Sequence, residues 1–122
     1  MKTVTLIDDS RTILMSMSGL LRSAGFQTES FERPQDALER LRDTPPPAAV
    51  ITDLNMPEMD GIMLIREARK IPSCRFIPIL VLTTESQAAK RIEAKAAGAT
   101  GWLVKPVTTE TLIQVLGKVI PE

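Results

Sequence analysis

Two rhythms of apolar residues alternate along the chain. Short β-branched runs at 4–7, 49–52, 77–82 and 102–104 have the length and composition of strands covered on both faces. A more polar run at 26–31 fits a strand at the edge of a sheet. Between these runs the apolar positions recur at helical spacing. Ile13, Leu14, Met17, Leu20 and Leu21 predict a first helix, capped by Ser10 or Asp9 and stopped by Gly25. Ala37, Leu38 and Leu41 predict a second, with Pro34 in its first turn and Pro45-Pro46-Pro47 beyond its end. Ile62, Leu64, Ile65 and Ala68 mark a third over 61–70. The alanine-rich segment 85–97, closed by Gly98, is a fourth. Leu112, Ile113, Leu116 and Val119 make a fifth, capped by Thr108 or Thr109. Pro78 is expected near the start of its strand, where a missing donor costs least. Met15, Met17, Met59 and Met63 read as core or rim filling.

Strand and helix thus alternate five times, which predicts an α/β domain: a doubly wound five-stranded parallel sheet with five helices. Right-handed crossovers bring the C-terminal ends of all strands to one edge, the edge at which open sheets of this kind bind ligands. The polar residues at those ends then become neighbours: Asp8 and Asp9, Asp53, Thr83 and Thr84, and Lys105. The central strand ends on Asp53, and Pro57 ahead of Asp60-Gly61 marks a loop.

Composition narrows the chemistry. The 122 residues suit one domain, and 43% hydrophobic content supports a packed core. A formal net charge of zero gives no reason to expect nucleic acid or an anionic membrane as partner. No apolar run is long enough to span a bilayer, and the N-terminus runs directly into a strand without a signal peptide. The single cysteine, Cys74, permits no internal disulfide, reads as an incidental thiol near a loop, and makes a cytoplasmic location the expectation. With no histidine, most transition-metal sites and any histidine-based triad are excluded.

Three carboxylates converging on one pocket repel one another, so one takes a proton or a cation sits among them. Oxygen donors suit a hard cation such as Mg²⁺. A carboxylate nucleophile, a divalent cation, an ammonium and a hydroxyl are what phosphoryl transfer to aspartate requires. Each residue also has an ordinary use. Asp8 and Asp9 can cap a helix, Thr83 can end a strand, and Lys105 can be a solvated lysine ahead of a turn. Their coincidence at four strand ends on one edge favours a shared site.

The set Asp8-Asp9, Asp53 with Asn55-Met56-Pro57 and Asp60-Gly61, Thr83, and Lys105-Pro106 resembles the receiver domains of two-component response regulators, and spans essentially the whole chain. The segments 82–86 and 95–102 look most like the CheY-like chemotaxis subgroup. The resemblance implies a flavodoxin-like strand order of 2-1-3-4-5 and a single receiver domain over 1–122. It implies Asp53 as phosphoacceptor from a CheA-like histidine kinase. Mg²⁺ would be held by Asp8, Asp9, Asp53 and the backbone carbonyl of Asn55. Thr83 and Lys105 would contact the phosphoryl group, with a cis peptide at Lys105-Pro106. Trp102 falls where the family has a switching Tyr or Phe, so Thr83 and Trp102 form the implied switch. Asn55 and Glu85, each two positions after a site residue, would tune dephosphorylation. The protein would be a regulator that promotes only its own phosphorylation and dephosphorylation, and not an enzyme on other substrates. Since the chain ends after one receiver, its output is expected to be a protein contact. The surface for that contact is the fourth helix, fifth strand and fifth helix, a flagellar motor switch protein is a candidate target, and a monomer is expected. Three other readings are open: a receiver acting as a phosphate sink, a flavodoxin-like cofactor binder, and a phosphatase of the haloacid dehalogenase type. Asp8-Asp9 in the first strand–helix loop speaks against the second, since it repels a bare phosphate. Asn55 in place of a second acid speaks against the third.

Overall fold

A computed structural model describes residues 2–121. Its elements run β1 (Thr3–Ile7), α1 (Arg11–Ser23), β2 (Gln27–Phe31), α2 (Pro34–Leu41), β3 (Ala49–Thr52), α3 (Gly61–Arg69), β4 (Ile79–Thr83), α4 (Ala88–Ala97), β5 (Gly101–Val104) and α5 (Thr109–Val119). The strands form one parallel sheet in the order β2-β1-β3-β4-β5. The order reverses at β1, with β2 on one side and β3 on the other, so the C-terminal ends of β1 and β3 flank a crevice.

Alternation along each central strand builds two cores. Ile7, Val50 and Val81 face α2, α3 and α4, packing on Leu38, Leu41, Ile62, Ile65 and Ala94. Leu6, Ile51, Leu80 and Leu82 face the other way, onto Leu14, Leu21, Leu112 and Leu116 of α1 and α5. The two edge strands, β2 and β5, are partly exposed along their length, and in β2 the polar sequence QTESF predicts it. Thr5 and Glu29 join β1 to β2 through a side-chain bond of 3.2 Å, and Arg40 of α2 closes on Glu29 at 2.9 Å.

Most boundaries fall within one residue of the sequence reading, and larger differences surround β4. β4 begins at Ile79, and Pro78 lies just ahead of it, its carbonyl accepting from Val50 N at 2.9 Å. α4 begins at Ala88 rather than at residue 85. A short 3₁₀ turn, Pro72–Cys74, interrupts the approach to β4 and buries Cys74 completely, with its thiol on the Leu41 carbonyl at 3.5 Å. Burial pushes that thiol's pKa up from its ordinary value. Met17 and Met59 pack on the two cores, but Met15 and Met63, expected as core or rim filling, are exposed, at 70% and 43%. No helix among the described residues is long and apolar enough to cross a membrane.

Candidate functional site

The site lies at the C-terminal edge of β1, β3, β4 and β5. Asp8 follows β1 directly and is buried, with its backbone amide on the Phe31 carbonyl at 3.2 Å. One carboxylate oxygen accepts from the Ser10 amide at 2.9 Å, and the other accepts from Lys105 Nζ at 3.1 Å. A buried carboxylate is tolerable only with such partners. Ser10 in turn caps α1, its hydroxyl accepting from Ile13 N at 3.3 Å, so the cap is Ser10 and not Asp9. Asp9 is left exposed beside the site.

Asp53 is half-buried and extends the β1–β3 pairing by one residue, its amide donating to the Ile7 carbonyl at 2.9 Å. Its Oδ1 accepts from the Leu54 amide at 2.7 Å, and its Oδ2 lies 3.9 Å from Lys105 Nζ. The connection behind it is closed by Gly61 N on the Leu54 carbonyl at 2.8 Å. Gly61 is required there by sterics. A Cβ at this position would collide with the Asp53 carbonyl oxygen and stand 3.0 Å from Leu54 Cα. The sequence places Gly61 where a loop gives way to the third helix, but does not reveal its contact with Asp53. The available signal is a glycine in the first turn of a helix, a place where helix chemistry does not ask for one.

Oxygens of Asp8, Asp9 and Asp53 all lie within 4.8 Å of one another. At an effective dielectric of about 20, two carboxylates at such a separation repel by on the order of 3 kcal/mol, less where solvent screens the exposed Asp9. One ammonium, Lys105, stands against this excess of negative charge. The donor set fits a small hard divalent cation. Opposed ligands around Mg²⁺ are about 4.2 Å apart, a span compatible with this cluster, and water completes such shells.

The structure brings Asp8, Asp9, Asp53 and Lys105 together, but among the described residues no hydrogen bond joins Thr83 to Asp53. Thr83 is fully buried at the end of β4, and its hydroxyl accepts from the Glu85 amide at 3.2 Å. Glu85 in turn accepts from the Gln87 amide at 3.0 Å, so its carboxylate is engaged within the β4–α4 connection. Asn55 is exposed two residues beyond Asp53. Lys105-Pro106 is a cis peptide, and Lys105 N donates to the Thr83 carbonyl at 2.8 Å, tying the two strand ends together. Trp102 of β5 is half-buried, packed against the core that contains Ala94. It lines a groove of about 320 Å³ with Arg91, Ile92, Lys95 and Thr100.

Residues 4–117 match the family described as response regulator receiver domain. The chain is similar to chemotaxis protein CheY-3 of Vibrio cholerae, 35% identical over 117 residues that make up 95% of this chain and 89% of that one. It superposes on the solved structure of V. cholerae CheY4 with a TM-score of 0.93 at 39% identity, covering 98% of this chain and 99% of the other. The receiver domain of a Pseudomonas aeruginosa sensor histidine kinase shares the fold at a TM-score of 0.89 and 24% identity, covering 97% of this chain and 96% of that one, and holds a magnesium ion in its active-site cleft. By its sequence over nearly its whole length and by its sheet, the chain belongs to the response regulator receiver domains.

Proposed function

We propose that the chain is a single receiver domain that acts as a phosphorylation-driven switch in chemotaxis, with Asp53 as phosphoacceptor. The observation that carries this reading is the convergence of Asp53 with Asp8, Asp9 and Lys105. Lys105 Nζ stands 3.1 Å from Asp8 and 3.9 Å from Asp53. An Asp53 oxygen attacks the phosphorus of a phosphohistidine on a CheA-like kinase. The P–N bond breaks, the imidazole leaves, and an acyl phosphate forms. Water later attacks the same phosphorus and restores the carboxylate and free phosphate. Asp8, Asp9, Asp53 and the Asn55 carbonyl would hold Mg²⁺, which when bound neutralises charge on the transferred oxygens. Lys105 supplies a second fixed charge. Asn55 and Glu85 border the path of the attacking water and set its rate. The protein turns over nothing but its own phosphoryl group.

For output, the Thr83 hydroxyl leaves the Glu85 amide and donates to the phosphoryl oxygens, drawing in the β4–α4 connection. Trp102 responds, and the surface of α4, β5 and α5 changes. That surface carries exposed Ile92 and Val104 beside Arg91 and Lys95, a mixed apolar and basic face suited to a protein target. The kinship with chemotaxis proteins CheY-3 and CheY4 supports a chemotaxis role; within that role a flagellar motor switch protein is the proposed target of a cytoplasmic monomer.

The test is phosphorylation by a small-molecule phosphodonor with Mg²⁺, followed by intact mass. One phosphoryl group is expected on the native chain and none on Asp53→Asn. Uptake by Asp53→Asn at the native rate would sink the assignment.

A further inference from the structure

α4 is held very unequally at its two ends. At its N-terminal end Gln87 makes no capping bond through its side chain, and Ala88, Ala89, Arg91 and Ile92 are exposed. Its one buried residue, Ala94, lies in the C-terminal half. The C-terminal end is fastened by a residue of another helix. Arg69, in the last turn of α3, reaches over Gly98 and donates to the Gly98 carbonyl from Nε at 3.1 Å and from Nη2 at 2.7 Å. From Nη1 the same guanidinium donates to the Cys74 carbonyl at 2.9 Å and the Ile77 carbonyl at 2.6 Å. It therefore joins the end of α4, the 3₁₀ turn and the lead into β4.

Gly98 makes this possible. It closes α4 in the left-handed region at φ 116°, and a Cβ there would stand 3.0 Å from Arg69 Cγ and Nε. Thr100, two residues on, bonds to both backbone groups of Ile79. Trp102 follows two residues later. The guanidinium has carbonyls where arginine more often has a carboxylate, and burial lowers its pKa from the ordinary value. Its planar fork serves two sets of carbonyls at once, which a lysine ammonium at the end of a single stem does not.

We propose that Arg69 is the pivot of the switch: a positioning residue that pins the C-terminal end of α4 and the start of β5 to α3. A change arriving at the β4–α4 connection then swings the free N-terminal end of α4 about Gly98 and is delivered to Trp102. This rests on the switching reading above. It adds the fixed point without which motion of the connection would dissipate as fraying of α4.

The experiment compares native protein, Arg69→Lys and Gly98→Asn with beryllofluoride and Mg²⁺. Asparagine tolerates the left-handed backbone, so Gly98→Asn mainly tests the crowding of Arg69. It also keeps the question answerable if the Arg69 variant folds poorly. In both variants the mimic should bind within about threefold of native affinity, because the acceptor is at the other end of the sheet. The Trp102 emission change on binding should fall at least twofold. Amide exchange at 94–101 should rise about tenfold, with β1 and β3 unchanged. A merely structural role would raise exchange throughout and leave the emission change of the folded fraction intact, and that result would overturn the pivot. So would a native-sized emission change in both variants. If the native protein itself shows no emission change, the switching reading falls and the pivot with it.

Discussion

The connections after β3 and after β4 leave neighbouring strands at the same edge of the sheet, yet they are built in opposite ways. The first is anchored at both ends. Asp53 is tied to β1, Leu54 is buried and bonded to the Asp53 carboxylate, Gly61 closes back on Leu54, and Asp60 caps α3 by accepting from Met63 N at 2.8 Å. The second has exposed Thr84, Ser86 and Gln87, and its internal bonds run through two side chains, Thr83 to Glu85 and Glu85 to Gln87. It enters a helix with no side-chain cap and one buried residue. A group that must attack in line needs its position held to a fraction of an ångström, which packing provides. A segment that reports the event must have a second arrangement within a few kcal/mol, which sparse contacts provide. On the proposed function, chemistry at Asp53 and signalling through the β4–α4 connection make contrary demands, and the two adjacent loops would meet them separately.

The strongest way to break the contrast is Gly61→Ala. Alanine is the better helix former by about 1 kcal/mol, so propensity alone would stabilise the protein. The collision with the Asp53 carbonyl should reverse this. We expect a net loss of about 2–3 kcal/mol in urea unfolding and a slower uptake of phosphoryl group. A neutral or stabilising effect would mean that the β3–α3 connection yields easily and is not the rigid member of the pair.

Mg²⁺ offers a comparable effect without altering the chain. At a hundredfold excess over its Kd, an ion bound to the native state adds about 2.7 kcal/mol. In the native protein that gain should appear in thermal unfolding, and amide exchange should slow at 53–61 with little change at 84–88. Asp9→Ala removes an exposed carboxylate that bonds to no other side chain or backbone group among the described residues, so the fold should persist while most of the gain disappears. An equal gain in Asp9→Ala would remove Asp9 from the site.

Much of this architecture can be read in the residues. Asp53 stands out because it ends a β-branched run between apolar neighbours and Pro57, and strand alternation places Asp8 and Lys105 on the same edge. What escapes reading is set by contacts distant in sequence or by competition among local bonds. Glu85 and Gln87 are good helix formers, yet Thr83 captures the Glu85 amide and Glu85 captures the Gln87 amide, so the helix starts three residues late. Cys74 lies in a stretch of turn residues, and only the fold shows that α2 and α3 close over it. Arg69 resembles any basic residue ending a helix until Gly98 is folded beneath it. Met15 shares the helical rhythm of Leu14 but falls on the edge of the apolar stripe, where spacing does not distinguish rim from solvent.

The smallest expected effect sharpens the comparison most. Gln87 holds the cap position of α4 with an extended backbone, φ −66° and ψ 130°, but its side chain makes no capping bond. A serine there has the right length to accept from the amide of Lys90, as Ser10 accepts from Ile13 in α1. Gln87→Ser should therefore stabilise the first turn of α4 by about 0.5–1 kcal/mol. If the first turn of α4 is already largely open at the urea midpoint, this gain will not reach the cooperative transition. The urea midpoint should then stay nearly fixed, while amide exchange over 88–91 slows by about 2–5-fold. A rise in global stability by the full amount would show that the entry to α4 melts with the rest of the sheet. The two connections would then differ in appearance only, and the looseness assigned to the second would have to be sought in α4 itself.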